Sequence, residues 1–408
     1  MHAYVSKAGR AVQVATYVLI IETMNQILNF KTSGALHFGV GAVEQLPTIL
    51  ATYEEPRVLL VTDHGLVQAG IVDLITAPLE SAGIPYAVYD GVEPDPRVEI
   101  VQECVDAARA AGANLLIGLG GGSPIDIAKV CSIMLTNGGE PLDYVGIGNV
   151  PKAGLPVIAI PTTAGTGSEV TPIAVLSDKA AHLKKGIVSD YLYPVAALVD
   201  PALATGLPAK ITAYTGMDAL THCIEAYTNK FAQPFIDVFG EKGIELVAKS
   251  LRRAYCQGED LQARTDMAMA SLYGGLCLGS VNTAAVHALA YPLGGTYNIP
   301  HGLANTILLP HVMAFNAPSD LEKYARIAEL MGENTEGCSP REAAEASVDA
   351  CRQLAIDLGM NLRLRDFEIP ESAIKEMAEA AMQVTRLMAN NPRRVTQQDC
   401  EAIYRSAW

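Results

Sequence analysis

The periodicity of the chain changes once, and that change limits what it can fold into. From about residue 29 to residue 200, short apolar runs alternate with helical patterns. The run R-V-L-L-V-T-D at 57–63 predicts a buried strand, because continuous Val and Leu suit a parallel sheet covered on both faces. A helix is predicted over 66–82, a strand over 86–89, a helix over 98–111 and another buried strand over 114–119 (N-L-L-I-G-L). Such alternation implies a mostly parallel α/β domain. After Pro208 strand-like runs nearly vanish. Long Ala, Leu, Glu and Met segments at 235–255, 261–278, 321–331, 340–358 and 372–385 predict helices instead. The expected organisation is an N-terminal extension over 1–28, an α/β domain over 29–207 and an all-helical domain over 208–408.

Composition narrows the function. Half of the 408 residues are hydrophobic and 18% are charged, enough apolar material for a large core. The net charge of −15 argues against nucleic acid or an anionic membrane as partner. Eight cysteines, at 104, 131, 223, 256, 277, 338, 351 and 400, include no C-x-x-C pair, so the expectation is reduced thiols in a cytoplasmic protein. At the start, Lys7 and Arg10 precede an apolar run over 11–21 that loosely resembles a signal peptide. The run is short for a membrane span and is broken by Gln13. The preferred explanation is a start site placed too far upstream, with Met24 the initiator.

Three motifs lie at the ends of apolar strands. G-L-G-G-G-S-P-I-D-I-A-K at 118–129 follows a strand and opens a helix. Ser123 suits an N-cap and Pro124 the first helical position. Gly120, Gly121 and Gly122 allow close approach of backbone N–H groups to an anion such as a pyrophosphate, and a tight strand–helix turn is the alternative. P-T-T-A-G-T-G-S-E-V-T at 161–171 is a second loop of hydroxyls and glycines after a strand, where α/β sheets bind ligands. In V-T-D-H-G at 61–65, Asp63 closes a strand. Its carboxylate suits either a ribose diol, excluding a 2′-phosphate, or the cap of the next helix.

A fourth set lies in the C-terminal half. Asp218 and His222, in M-D-A-L-T-H, are spaced i, i+4 and share a helix face. His287 and His301 flank the turn-rich P-L-G-G and N-I-P-H-G stretches, which allow the chain to fold back on that helix. Carboxylate and imidazole together suit iron, zinc or another borderline divalent cation. His37, His64, His182 and His311 have no such partners and read as structural or surface residues.

Together, G-G-G-S-P-I-D-I-A-K, P-T-T-A-G-T-G-S-E-V-T, G-M-D-A-L-T-H-C-I-E-A-Y and Y-P-L-G-G-T-Y-N-I-P-H-G resemble the iron-containing (group III) alcohol dehydrogenases. The resemblance runs from about Phe38 to the N-P-R at 391–393. It implies a dehydroquinate-synthase-like fold, with an N-terminal nucleotide-binding α/β domain, a helical C-terminal domain and the active site between them. By resemblance the metal ligands are Asp218, His222, His287 and His301, with Fe²⁺ the first choice and Zn²⁺ also acceptable. The cofactor is NAD, held by Gly121, Gly122 and Ser123 at the pyrophosphate and by Thr162, Thr163 and Thr166 in the second loop. Asp126, Lys185 (near the nicotinamide ribose), Thr205 and Leu207 also match cofactor positions, and Asp63 marks NAD over NADP.

One position departs from the pattern. Many members carry a histidine four residues after the third ligand, a candidate proton shuttle; here it is Tyr291. The implied activity is reversible hydride transfer between NAD(H) and a small primary alcohol/aldehyde pair, by a homodimer or larger homo-oligomer. A Zn-dependent glycerol-type dehydrogenase and a non-catalytic NAD-binding scaffold are the alternatives. The metal motifs contain no basic cluster, which favours neutral substrates.

Overall fold

The computed structural model describes residues 27–179 and 183–408. The apolar run at 11–21, Met24 and His182 lie outside them. In chain order the first elements are β1 (Ala35–Phe38), α1 (Leu46–Leu50), β2 (Val58–Val61), α2 (His64–Gln68), α3 (Ile71–Ser81), β3 (Tyr86–Tyr89), α4 (Val98–Ala111), β4 (Leu115–Gly120) and α5 (Gly122–Asn137). Then follow β5 (Gly146–Ile147), β6 (Val157–Pro161), β7 (Ile173–Asp178), β8 (Leu183–Val188) and β9 (Ala196–Val199). The rest is helical: α6 (Ala209–Tyr227), α7 (Pro234–Cys256), α8 (Leu261–Val281), α9 (Ala285–Tyr297), α10 (His301–Asn316), α11 (Leu321–Leu330), α12 (Pro340–Asp357), α13 (Ile374–Met382), α14 (Thr385–Met388) and α15 (Gln397–Ala407). The helix expected over 66–82 is two helices, because Gly70 adopts a left-handed conformation (φ 72°) between α2 and α3. The expected helix over 372–385 ends at Met382, before the short α14.

Six strands form one parallel sheet in the order β1-β9-β6-β4-β2-β3. Both faces are covered, which explains the unbroken apolar runs. Leu59, Val61 and Leu116 point towards Ile127, Val130 and Cys131 of α5. Val58, Leu60, Leu115 and Ile117 point towards Val72, Ile75 and Leu79 of α3. Each fully buried Leu or Ile here contributes about 1.5–3 kcal/mol. Strand β2 connects outward to β3, while β4 connects the other way to β6, so the helices leaving these neighbouring strands cross on opposite faces. The crevice at their carboxyl ends is where such sheets bind ligands. Asp63, Gly121 and Thr162 follow β2, β4 and β6 and therefore line one edge.

A second, three-stranded sheet, β5-β8-β7, was not expected. Strands β7 and β8 pair antiparallel with Leu176 opposite Lys185 and Ser177 opposite Lys184. The helices from α6 onward share one apolar core, which takes in Met217, Leu220, Val247, Met267, Leu289, Ile307 and Tyr404. Among the described residues no single helix is long and apolar enough to cross a membrane.

Candidate functional site

Helix α6 holds Asp218 and His222 one turn apart on its buried face. Helix α9 brings His287 to the same place. Asn298 ends α9 in a left-handed turn (φ 53°), which reverses the chain so that His301 opens α10 beside it. The His287 and His301 ring centroids are 5.2 Å apart, and those of His222 and His287 are 4.8 Å apart. The start of α10 approaches α6 so closely that a β-carbon on Gly302 would lie 2.1 Å from the Tyr214 carbonyl oxygen. Only glycine permits that approach, and it sets the depth of His301.

The donor atoms converge. Asp218 Oδ1 lies 3.9 Å from His222 Nε2 and 3.7 Å from both His287 Nε2 and His301 Nε2. The His222 and His287 Nε2 atoms are 3.0 Å apart. Ligands around one ion at roughly 2.1 Å would sit about 3–4 Å from one another, so Asp218, His222 and His287 fit a single divalent cation, and His301 Nε2 faces the same carboxylate oxygen. The outer nitrogens fix the tautomers: His222 Nδ1 donates to the Gly165 carbonyl (3.1 Å) and His287 Nδ1 to Glu225 Oε2 (2.5 Å). Both inner Nε2 lone pairs therefore face each other in a dry site, a repulsion that a shared cation relieves. Burial opposes charge on Asp218, yet the three imidazoles and an Asn305 hydrogen bond hold its carboxyl down at about 2. Burial pushes His301 down to about 3 and lowers His222 also, so both are neutral and able to ligate.

Two residues of this site escaped the sequence reading. Glu225, three residues past His222 on α6, accepts from Val286 N (2.7 Å) as well as from His287. Asn305, one turn past His301 on α10, sends Nδ2 to Asp218 Oδ1 (2.7 Å), with His287 Nε2 at 3.1 Å and His301 Nε2 at 3.3 Å. Its Oδ1 is buried without a partner. The helical spacing that marked Asp218 and His222 would have found both. A carboxylate behind a ligating imidazole raises its basicity and fixes its direction. Glu225→Gln is therefore expected to weaken metal affinity by roughly 10–100-fold, measured by competition with a chelator. An unchanged affinity would leave Glu225 only the Val286 contact.

The nucleotide-side loops meet each other. Helix α5 starts at Gly122 with Gly121 as its N-cap, so Ser123 is not the cap that its residue type suggested. Gly121 offers no side-chain acceptor, and the first backbone N–H groups of α5 remain available to an anion. Thr163 and Thr166 lie against Gly121 and Gly122. Asp126 accepts from Ser168 Oγ (2.6 Å) and Val175 N (2.9 Å), tying α5 to the second loop and to β7. Beneath it the fully buried Lys129 donates to Ser168 O and Oγ and to the carbonyls of Thr171 and Ile173. The loop also presses on α8: a β-carbon on Gly275 would lie 2.6 Å from Gly167 O. The second loop reaches the metal set through Gly165 O and His222.

The remaining candidates divide. Asp63 caps α2, its Oδ1 accepting from Leu66 N (3.0 Å), which leaves Oδ2 for another donor. Lys185 shares a face of β8 with the buried Ile187 and lies 4.0 Å from Asp178. Its neighbour Lys184 lies on the opposite face, pairs with Asp95 and presents its charge to His301. The lysine of this hairpin that faces the metal set is thus Lys184, because alternation along a strand separates the two. Thr205 Oγ1 donates to Ala202 O (2.8 Å), and the Leu207 carbonyl accepts from Arg264 (3.2 Å), so both are held within the chain. Tyr291 lies one turn past His287, and burial raises its phenol above 10. Of the remaining histidines, His64 lies 3.2 Å from Asp90 at the surface and His311 bonds Ser406.

Comparison with known proteins points the same way. Residues 33–201 match the model of the iron-containing alcohol dehydrogenases, and residues 212–408 match the C-terminal model of the Fe-containing alcohol dehydrogenase family. The chain is 40% identical to long-chain-alcohol dehydrogenase 1 of Geobacillus thermodenitrificans, over 91% of this chain and 94% of that protein. It is 41% identical to a 1,3-propanediol dehydrogenase of Klebsiella pneumoniae, over 91% and 96%. The crystal structure of a 1,3-propanediol oxidoreductase superposes with a TM-score of 0.91 at 40% identity, covering 94% of this chain and 100% of that one. A sulfoacetaldehyde reductase from Bifidobacterium kashiwanohense in complex with NAD⁺ gives 0.84 at 29% identity, covering 94% and 99%. With both halves matched and the donor set converged, the chain belongs to the iron-containing alcohol dehydrogenase family.

Proposed function

We propose that the protein interconverts a small primary alcohol and its aldehyde with NAD(H), using one divalent ion, Fe²⁺ by family, held by Asp218, His222, His287 and His301. The observation that carries this reading is the hydrogen bond from His222 Nδ1 to Gly165 O, which joins the metal set to the loop bearing Thr162, Thr163 and Thr166. When bound, the ion supplies a Lewis acid for the substrate oxygen and the nicotinamide gives or takes the hydride.

The chain supplies the positioning. Gly121, Gly122 and Ser123 offer N–H groups to the pyrophosphate, and the free Oδ2 of Asp63 suits a ribose diol and repels a 2′-phosphate. Asp218, His222 and His287 are buried, which limits the access of water to them. Tyr291 stays a neutral phenol at physiological pH, so it acts as a hydrogen-bond donor, and the alcohol proton leaves by another route. A cytoplasmic homo-oligomer is in keeping with the unpaired cysteines and acidic surface.

The test is NADH oxidation across an aldehyde panel. Turnover that a chelator abolishes and Fe²⁺ restores is the expected result; nucleotide binding without turnover would favour a scaffold. Asp63→Asn keeps an oxygen to cap α2 while removing the charge. It is expected to narrow the preference for NADH over NADPH by roughly tenfold or more, through loss of the repulsion towards the 2′-phosphate. An unchanged preference would remove Asp63 from the ribose site.

A further inference from the structure

We propose that the substrate carries a compact anionic group, a carboxylate or sulfonate, and that Arg386 meets its charge. The inference rests on the dehydrogenase reading above. It begins from three faces that come together. His287, Tyr291 and Gly294 are spaced i, i+4, i+7 and form one stripe along α9. Lys184 and Gly186 share one face of β8, and that face meets the stripe: Lys184 Cε lies 3.6 Å from where a β-carbon of Gly294 would stand. Arg386, from α14, reaches the same face of β8, with Nη2 3.2 Å from the β-carbon position of Gly186. Two cationic side chains therefore flank a row that starts at a metal ligand.

They differ in what they are already doing. Lys184 is paired with Asp95. Arg386 makes no hydrogen bond or ion pair among the described residues, and its Nη1 is buried without an acceptor. The acids nearest the row are committed elsewhere: Asp218 faces the imidazoles and Asn305, and Glu225 holds His287 and Val286. The charge of Arg386 acts at Tyr291, where it opposes the effect of burial on the phenol. Arg386 is half-buried, and a guanidinium with a buried, unused donor is costly; its planar fork is matched by a carboxylate or a similar oxoanion. The pyrophosphate is already provided for at Gly121–Gly122, on α5, so the ligand that suits Arg386 is the one beside His287 and Tyr291. The chemistry is otherwise unchanged: hydride from NADH adds to the carbonyl carbon, a proton goes to its oxygen, and the anionic group is not altered. No basic cluster showed in the metal motifs because both cations come from elements distant in sequence.

The experiment compares kcat/KM for succinate semialdehyde and sulfoacetaldehyde with that for butanal and propanal, in wild type, Arg386→Leu and Arg386→Lys, with NADH affinity and metal content measured alongside. Wild type is expected to prefer the anionic aldehydes by roughly tenfold or more. Arg386→Leu is expected to collapse that ratio, and Arg386→Lys to retain part of it. Equal or better use of the neutral aldehydes by wild type overturns the proposal. So does a proportional loss for both classes in Arg386→Leu, or an effect confined to NADH affinity. If no aldehyde at all is reduced, the dehydrogenase reading fails instead. Calorimetry of 3-hydroxypropionate against 1-propanol on the NAD⁺-loaded protein then decides the charge preference: selective binding of the acid, lost in Arg386→Leu, supports it, and no selectivity sinks it.

Discussion

His287→Ala is expected to lower kcat/KM for aldehyde reduction by roughly a thousandfold or more and to leave the purified protein short of metal. His287 is the donor with the most fixed direction. Glu225 holds its Nδ1, and its Nε2 lies 3.7 Å from Asp218 Oδ1 and 3.0 Å from His222 Nε2. Alanine removes one of four donors, leaves the Glu225 carboxylate buried without its imidazole, and opens a space that none of the remaining donors fills. A Lewis acid supplies several kcal/mol of charge stabilisation, and each 1.4 kcal/mol is about a factor of ten in rate. Metal analysis and steady-state kinetics on the same preparation check this. Full activity at wild-type metal content would remove His287 from the site.

The second large effect concerns stability. Lys129→Met is expected to destabilise the protein by about 3–5 kcal/mol, because removing one partner of a buried ion pair leaves the other uncompensated. Lys129 is almost fully buried, and its Nζ shares its protons among oxygens of Ser168, Thr171 and Ile173, with Asp126 Oδ1 at 3.9 Å. Burial pushes its ammonium down to about 8, which still leaves it charged at neutral pH. Methionine fills the volume but strands three carbonyls and Asp126. Urea unfolding measures the loss, and a midpoint within error of wild type would contradict it. Because the stranded carbonyls belong to the second loop and β7, NADH affinity is expected to fall as well.

Much of this was legible in the chain. Tyr86–Tyr89 and Val98–Ala111 fall where the apolar run and helical spacing put them: β3 lies in a sheet covered on both faces, with Tyr86 packed on one side and Ala87 and Tyr89 on the other, and α4 buries one stripe. The donor spacing of Asp218 and His222 is a local helical property and reads directly. His287 and His301 were legible as candidate donors from their turn-rich flanks, but how closely they approach depends on the Asn298 turn and the Gly302 contact. Lys185 shows the limit most clearly. The hairpin β7–β8 was not foreseen, so nothing in the sequence separated the faces of two adjacent lysines. Arg386 and Asn305 were missed for different reasons. Arg386 is brought in by tertiary packing of a four-residue helix, whereas Asn305 sits at a spacing that was available but was not followed past His301.

The donors come from three helices, with α6 separated from α9 and α10 by a long stretch of chain. Whatever ion they hold is also a cross-link, present in the folded state and absent from the unfolded one. Mass action then ties the fold to metal supply: an ion at a thousand times its dissociation constant adds about 4 kcal/mol. A cell short of that ion loses more than turnover. It also loses the stabilisation that the bound ion adds to the fold.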